Sequence, residues 1–330
     1  MADEVAMECR RAGAETETLY ISDRVWYWSL RELPMNWLRG ESKTHLALLD
    51  VATAMIWLEA PADPKPMAKI SADRWAANSE GADHWYQKEK QRKVRTASFG
   101  LPAVTPQRAG AYGFSYQAWK RSMEAALSAD YSRISEVGRR VRGFFDDSDR
   151  EVRVTAKNGT DLTFRLAKRK SWIDDGVLDD DDLAAGIFET TLPGGCLQVA
   201  PDENSANGKV VFDLPIPQRG KLIRGLSWTF EDGRIKEFSA AKNGEMILPV
   251  WNESTGDKDR FGWFEMGFNH AAKTGFLNNE IASGTVTIGV GENKKLGGNN
   301  ESPFQFQGTL RKATVTVDGQ TIVSEGKLTV

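Results

Sequence analysis

Two fold types follow one another along this 330-residue chain. The first half predicts an α/β domain with an open sheet. The second half predicts an α+β domain made mainly of antiparallel sheet. Three observations carry the division. Up to about residue 147, short apolar runs alternate with helical segments, as they do in open α/β sheets. Beyond it, apolar and polar residues alternate with period two. That half is also punctuated by NGT, EDG and VDG, which are hairpin signals.

The elements follow in order. Residues 2–13 read as a helix closed by Gly13. Glu15 to Ile21 alternates and reads as a strand. Ser22 or Asp23 caps the aromatic segment VWYWSLRELPMNWL. The longest apolar stretch, Leu46 to Leu58, fits a buried helix end or strand, with Ala54–Leu58 as the strand proper before the Pro-rich APADPKP. Ser71 opens a helix, and the basic run Lys88 to Arg95 follows as a solvated face. Arg95 to Leu101 is a short strand stopped by Pro102. Ser115 to Phe145 is the longest helical segment, its apolar residues recurring every three and four positions. DDSD breaks it. The domains are thus 1–147 and 148–330.

The second half supplies EVRVTA, DLTFRL, VVFDLPI, IRGLSWTFEDGRIKEFSA, GTVTIGV and ATVTVDGQTIVSEGKLTV as strands, with helices expected after Asn243 and near Gly256. The acidic cluster Asp174, Asp175 and Asp179 to Asp182 reads as an exposed loop, or alternatively as docking for a basic partner.

Composition bounds the function. A net charge of −3 gives no bulk electrostatic reason to bind nucleic acid or an anionic membrane. No run approaches the roughly 18 apolar residues of a membrane span. The opening MADEVAMECRRAGA is polar and unlike a signal peptide, so the sequons at Asn158, Asn252 and Asn300 carry no weight. Two cysteines, Cys9 and Cys196, make no disulfide framework and point to a reducing, cytoplasmic setting. Eleven Trp indicate a heavy aromatic core or an aromatic-lined pocket.

LPGGCLQVAPDENSANGKVVFD, KLIRGLSWTFEDGRI, WFEMGFN, GTVTIGVG, GGNNESPFQFQ and TVDGQTIVSEGKL resemble the aminopeptidase T family of metallopeptidases. RTASFGLPAVTPQRAGAYGFSYQAWKRSMEAALSADY and GTDLTFRL extend the resemblance over most of residues 95–330, with a weaker likeness upstream. The resemblance implies a further strand and helix ahead of this chain's first residue, so the first domain is expected to be short there. It also implies a homodimer formed through the C-terminal sheet domain.

The family's chemistry uses two divalent metals. The resemblance places their ligands at a Glu after the PGG turn, a second Glu, a strand His, a later Tyr and a His-x-Asp pair. Here Cys196 replaces the first Glu, Glu265 keeps the second and Thr287 replaces the His. Lys294 stands near the Tyr, and Gln305 and Gln307 replace the pair. One position in six keeps its ligand. Neutral amides and a hydroxyl do not offset the dehydration of two divalent ions. His45, His84 and His270 do not fall on the missing positions. No metal or other cofactor is therefore expected. Related iron-dependent ring-cleaving dioxygenases need the same lost ligands.

Cys196 is the sharpest chemical candidate, with His270 or Lys294 as activating neighbours. Its plain alternative is a small residue filling the space of a longer Glu. Glu265 reads as a general base or as a carboxylate that receives a peptide's ammonium. Gln305 and Gln307 alternate, so they share a face and offer amides to a peptide backbone, or else form a satisfied internal hydrogen-bond pair. GVGENKKLGG lacks the spacing of a phosphate loop. The expectation is a metal-free, aminopeptidase-like peptide-binding protein. It would be a non-catalytic partner that presents a peptide, as in peptide natural product biosynthesis. Its ligand would contact Cys196, Glu265, Thr287, Gln305 and Gln307. The alternative is a metal-independent hydrolase, isomerase or cyclase that uses Cys196 or Glu265.

Overall fold

Parallel pairing organises the N-terminal part of the chain. The structure, a computed structural model, describes residues 1–58, 61–218 and 220–330, with Ala72 described by its backbone only. The first residue of the Pro-rich stretch after Leu58 lies outside the described residues. Two compact units emerge: Met1–Tyr116 with Leu178–Glu189, and Gln117–Val177 with Thr190–Val330.

In the first unit, Ala54–Leu58 and Arg95–Phe99 pair in parallel. Parallel neighbours need a crossover, and helix Ala72–Arg92 supplies it. Gly81 lets this helix approach Met35–Arg39 closely, since a Cβ there would sit 2.0 Å from the Leu38 carbonyl oxygen. The basic run is more than a solvated face. Lys88 reaches Asp50 at 2.8 Å, and Arg92 donates to the Asp50 carbonyl at 3.0 Å. Both meet the C-terminal end of helix Lys43–Val51, where carbonyls lack intrahelical partners. Glu15 to Ile21 forms no strand. Its alternation finds no sheet edge, and Leu19, Tyr20 and Ile21 are exposed.

The second unit begins earlier than the acidic break near residue 147. The expected long helix is two, Tyr116–Leu127 and Tyr131–Arg142. Asp130 interrupts it by capping the second, accepting from the Arg133 N–H at 3.2 Å. Ile134, Val141 and Phe145 then bury in the sheet core, which draws these residues into the second unit.

That core lies between two sheets. The larger has eight strands. The smaller has five, in chain order Trp172–Asp174 (β1), Cys196–Val199 (β2), Phe261–Gly267 (β3), Val286–Gly291 (β4) and Gln305–Leu310 (β5). They lie side by side as β5-β4-β3-β2-β1, all antiparallel. Leu197, Val199, Phe264, Met266, Val286, Ile288 and Leu310 bury one face against the core. Asp232-Gly233 and Asp318-Gly319 turn their hairpins with φ positive at both residues, as a type I′ turn requires. Gly256 lies in a bend, not a helix, while Leu248–Glu253 is helical as expected after Asn243.

Candidate functional site

The other face of the five-stranded sheet carries the site residues. Register aligns Trp172, Gln198, Glu265, Thr287 and Thr309 in one row across all five strands. One row over stand Asp174, Cys196 and Gly267. On the other side stand Trp263, Gly289 and Gln307. Period-two alternation puts every one of these on the face opposite the core. Five segments far apart in sequence thus assemble one polar surface.

Glu265 is 1% exposed, and both carboxylate oxygens are buried without a hydrogen bond of ordinary geometry. Burial pushes its pKa up to about 7. The nearby Cys196 and Gln198 side chains pull the other way, and Asp174 pushes with the burial. Such a carboxyl is largely neutral in mildly acidic solution. Cys196 is buried, and its thiol is held well above the usual range, first by burial and then by the negative charges of Glu265 and Asp174. This environment disfavours a thiolate. Of the expected activators, Lys294 pairs with Glu301 and His270 is exposed, whereas Cys196 is buried. Asp174 is not in an exposed loop. It is half-buried in β1, accepting from the Thr190 hydroxyl at 2.8 Å and the Thr191 N–H at 2.9 Å, and burial raises its pKa.

Three of the replacement side chains are hydrogen-bonded to their neighbours. Thr287 and Thr309 share a hydrogen bond of 2.8 Å. Trp263 Nε1 donates to Gln307 Oε1 at 3.1 Å. Gln305 Nε2 donates to the Glu292 carbonyl and carboxylate at 2.9 and 2.8 Å. The Trp263 ring occupies the space over Gly289, where a Cβ would lie 2.0 Å from Cε2. The chain between β3 and β4 folds back onto this face. Gly267 has no side chain, and a Cβ there would sit 2.3 Å from the carbonyl oxygens of Glu280 and Ala282. Asn269 and Asn279 brace that segment, Asn269 donating to the Gly194 carbonyl at 2.8 Å and Asn279 accepting from the Gly275 N–H at 2.7 Å.

A cavity of about 300 Å³ opens beside the polar row. Gln305, Gln307, Thr309, Trp263 and Glu280 line it, with Pro215–Gln218 opposite. Cys196, Glu265 and Thr287 do not line it. The expected ligand contacts therefore divide: the two glutamines border open space, and the other three are sealed in. Sequence reading missed Trp263, Glu280 and Thr309. Alternation within WFEMG does place Trp263 on the face of Glu265, so that signal was present. It also missed the frame beneath. Half-buried Arg169 pairs with buried Glu203 at 2.8 Å, joined by Asn293 at 3.1 Å. Asn300 donates to the Phe261 and Gly291 carbonyls, pinning GGNN to β3 and β4.

Two metal ions do not fit these residues. Among the described residues, no three His, Cys, Asp or Glu side chains converge as a metal site. The Thr287 hydroxyl and the Gln305 and Gln307 amides are engaged by Thr309, Glu292 and Trp263, and an indole fills the space over Gly289.

A two-unit chain with this five-stranded sheet and degenerate ligand face is of aminopeptidase type, and the chain belongs to the thermophilic metalloprotease (M29) family, whose model matches residues 1–258. That match ends before Glu265. The chain is similar to aminopeptidase AmpS of Bacillus subtilis (strain 168), 31% identical over 90 residues, and to aminopeptidase PepS of Streptococcus thermophilus, 32% identical over 90 residues. In each case the match spans 27% of this chain and only 21% of the relative. Its fold is similar to that of wild-type AmpT from Thermus thermophilus, with a TM-score of 0.71 and 17% identity over 100% of this chain and 91% of that one. A 2,5-dihydroxypyridine dioxygenase from Pseudomonas putida KT2440 matches at TM-score 0.53 and 13% identity, covering 90% and 97%.

Proposed function

We propose that this protein binds a peptide without cutting it, in the cleft where its family holds metal. One observation carries the reading: Thr287, Gln305 and Gln307 stand at ligand positions as neutral side chains hydrogen-bonded to neighbouring residues, while an amide-lined cavity persists beside them. Amides donate and accept, which suits a peptide main chain. Glu265 is sealed and does not line the cavity, so it is not the group that meets a peptide's ammonium there. Binding without cleavage suits a partner that presents a peptide to a second enzyme, as in peptide natural product biosynthesis. The family resemblance supports a homodimer through the sheet unit, for which light scattering should give twice the chain mass at micromolar concentration.

Calorimetry with peptides, and mass spectrometry of the recovered ligand, tests the central claim. Peptide should return intact, and Gln307→Ala should weaken binding roughly three- to tenfold, the effect of about one hydrogen bond. Unchanged affinity would remove Gln307 from the site.

One observation favours a second reading, a metal-independent enzyme. A carboxyl with a pKa near 7, as for Glu265, is what general acid–base catalysis uses. A peptide returned shortened or cyclised, with the change lost in Glu265→Gln or Cys196→Ala, would establish it. Fast alkylation of Cys196 at neutral pH would point the same way. The acidic surroundings of the thiol predict slow alkylation instead.

A further inference from the structure

β5 is an edge strand, paired only with β4 among the described residues. The register fixes which of its backbone groups face outward. The Glu292 N–H donates to the Phe304 carbonyl at 3.0 Å. Stepping by two along an antiparallel ladder, the pairs bonded across β4 are Val290 with Phe306, Ile288 with Gly308 and Val286 with Leu310. The intervening residues of β4 face β3, as the Gly291 N–H bonded to the Arg260 carbonyl shows. It follows that the N–H and C=O groups of Gln305, Gln307 and Thr309 point away from the sheet. No described backbone group bonds them.

These residues form one wall of the cavity. The opposite wall is Pro215–Gln218, whose strand Ile216–Gln218 already pairs on one side with Lys221–Ile223. Pro215 and Pro217 have no N–H to offer, so this wall cannot zip onto β5 as a continuous ladder. The gap is therefore flanked by an open row of strand donors and acceptors on one side and a strand barred from satisfying them on the other.

We propose that an extended peptide enters this gap as an added strand on β5, its main chain bonded to Gln305, Gln307 and Thr309. This rests on the peptide-binding reading and specifies its mode. Five residues of β5 line the cavity, so the added strand spans about five residues at roughly 3.4 Å each. Main-chain bonds give affinity in such complexes, and alternate side chains give selectivity. Every second peptide side chain shares the face of Gln305 and Gln307, and the others share the face of Phe306. The peptide this edge accepts alternates polar and apolar residues and has no proline where its N–H must meet β5.

The probe is the hexapeptide lysine-valine-threonine-valine-threonine-valine amide, together with its single N-methyl variants. Calorimetry should show binding weakened about tenfold or more by N-methylation at every second residue, with near-parent affinity at the residues between. Hydrogen exchange should show the amides of Gln305, Gln307 and Thr309 protected only when peptide is bound. Hexapeptide binding without this period-two pattern overturns the added strand and leaves peptide binding standing. If neither the hexapeptide nor a random hexapeptide pool is retained, both readings fall. If those three amides are protected without peptide, and lose protection when a dimer is diluted to monomer, a second copy of the chain covers the edge and the proposal is wrong.

Discussion

Glu265 shows how one residue loses its partners yet keeps its charge problem. Its carboxyl ordinarily titrates at 4.5, and burial raises it to about 7 in the folded protein. Between these values the native state binds the proton and the unfolded chain does not. Stability is therefore fully present below about 4.5 and falls as pH rises through 7. At about 1.4 kcal/mol per pH unit, the contribution across that window is roughly 3 kcal/mol. Asp174, whose pKa is also raised, acts in the same direction. Glu265→Gln should flatten the decline of melting temperature between pH 5 and 8 and stabilise the protein at pH 8. An unchanged slope, read by calorimetry at several pH values, would show that the carboxyl is hydrated in solution.

At the scale of elements, the five-stranded sheet holds its site face by omission as much as by contact. Gly289 and Gly267 leave room for the Trp263 ring and for the segment that returns over Gly267. A methyl at Gly289 has no space without moving the indole, and overpacking of this kind costs about 1–3 kcal/mol. Gly289→Ala should lower the urea midpoint by a corresponding amount. It should also break the Trp263–Gln307 hydrogen bond, changing the tryptophan fluorescence. A variant with the parent's midpoint and emission would show that the ring moves freely. Alternation had already placed Gln305 and Gln307 on one side of a strand, and β5 places them so. It did not reveal that β5 ends the sheet, because edge position depends on which strands are absent beside it.

For the molecule as a whole, the donor set decides the relation to metal. Five of the six positions that the family resemblance marks as ligands hold other residues, and the glutamines and threonine are already hydrogen-bonded. Protein purified in metal-supplemented medium should carry well under one equivalent of zinc, cobalt, manganese or iron. Chelator should leave its melting temperature unchanged, because a bound ion would have stabilised the native state by mass action. Elemental analysis near two ions per chain, with a chelator-dependent melting temperature, would overturn this. No helix among the described residues is long and apolar enough to cross a membrane.

The sequence by itself determined the alternating strands of the second half, the Asp-Gly turns, the helix after Asn243 and the kinship with aminopeptidases. These are written in local pattern: period two, positive-φ dipeptides and short fixed motifs. It also determined that the ligands were gone, since residue identity alone tells an amide from an imidazole. Only the tertiary structure decided where each replacement stands. Trp172, Gln198, Glu265, Thr287 and Thr309 meet in one row because strands far apart in the chain pair in a particular register, which no local window contains. Asp174 looked like part of a solvated acidic run until β1 drew it beside Cys196. Glu15 to Ile21 had the alternation of a strand but found no neighbour to pair with, and a strand exists only with a partner. Burial of Glu265 and openness of the β5 edge have the same origin: both are set by what packs alongside, and that is a property of the folded chain.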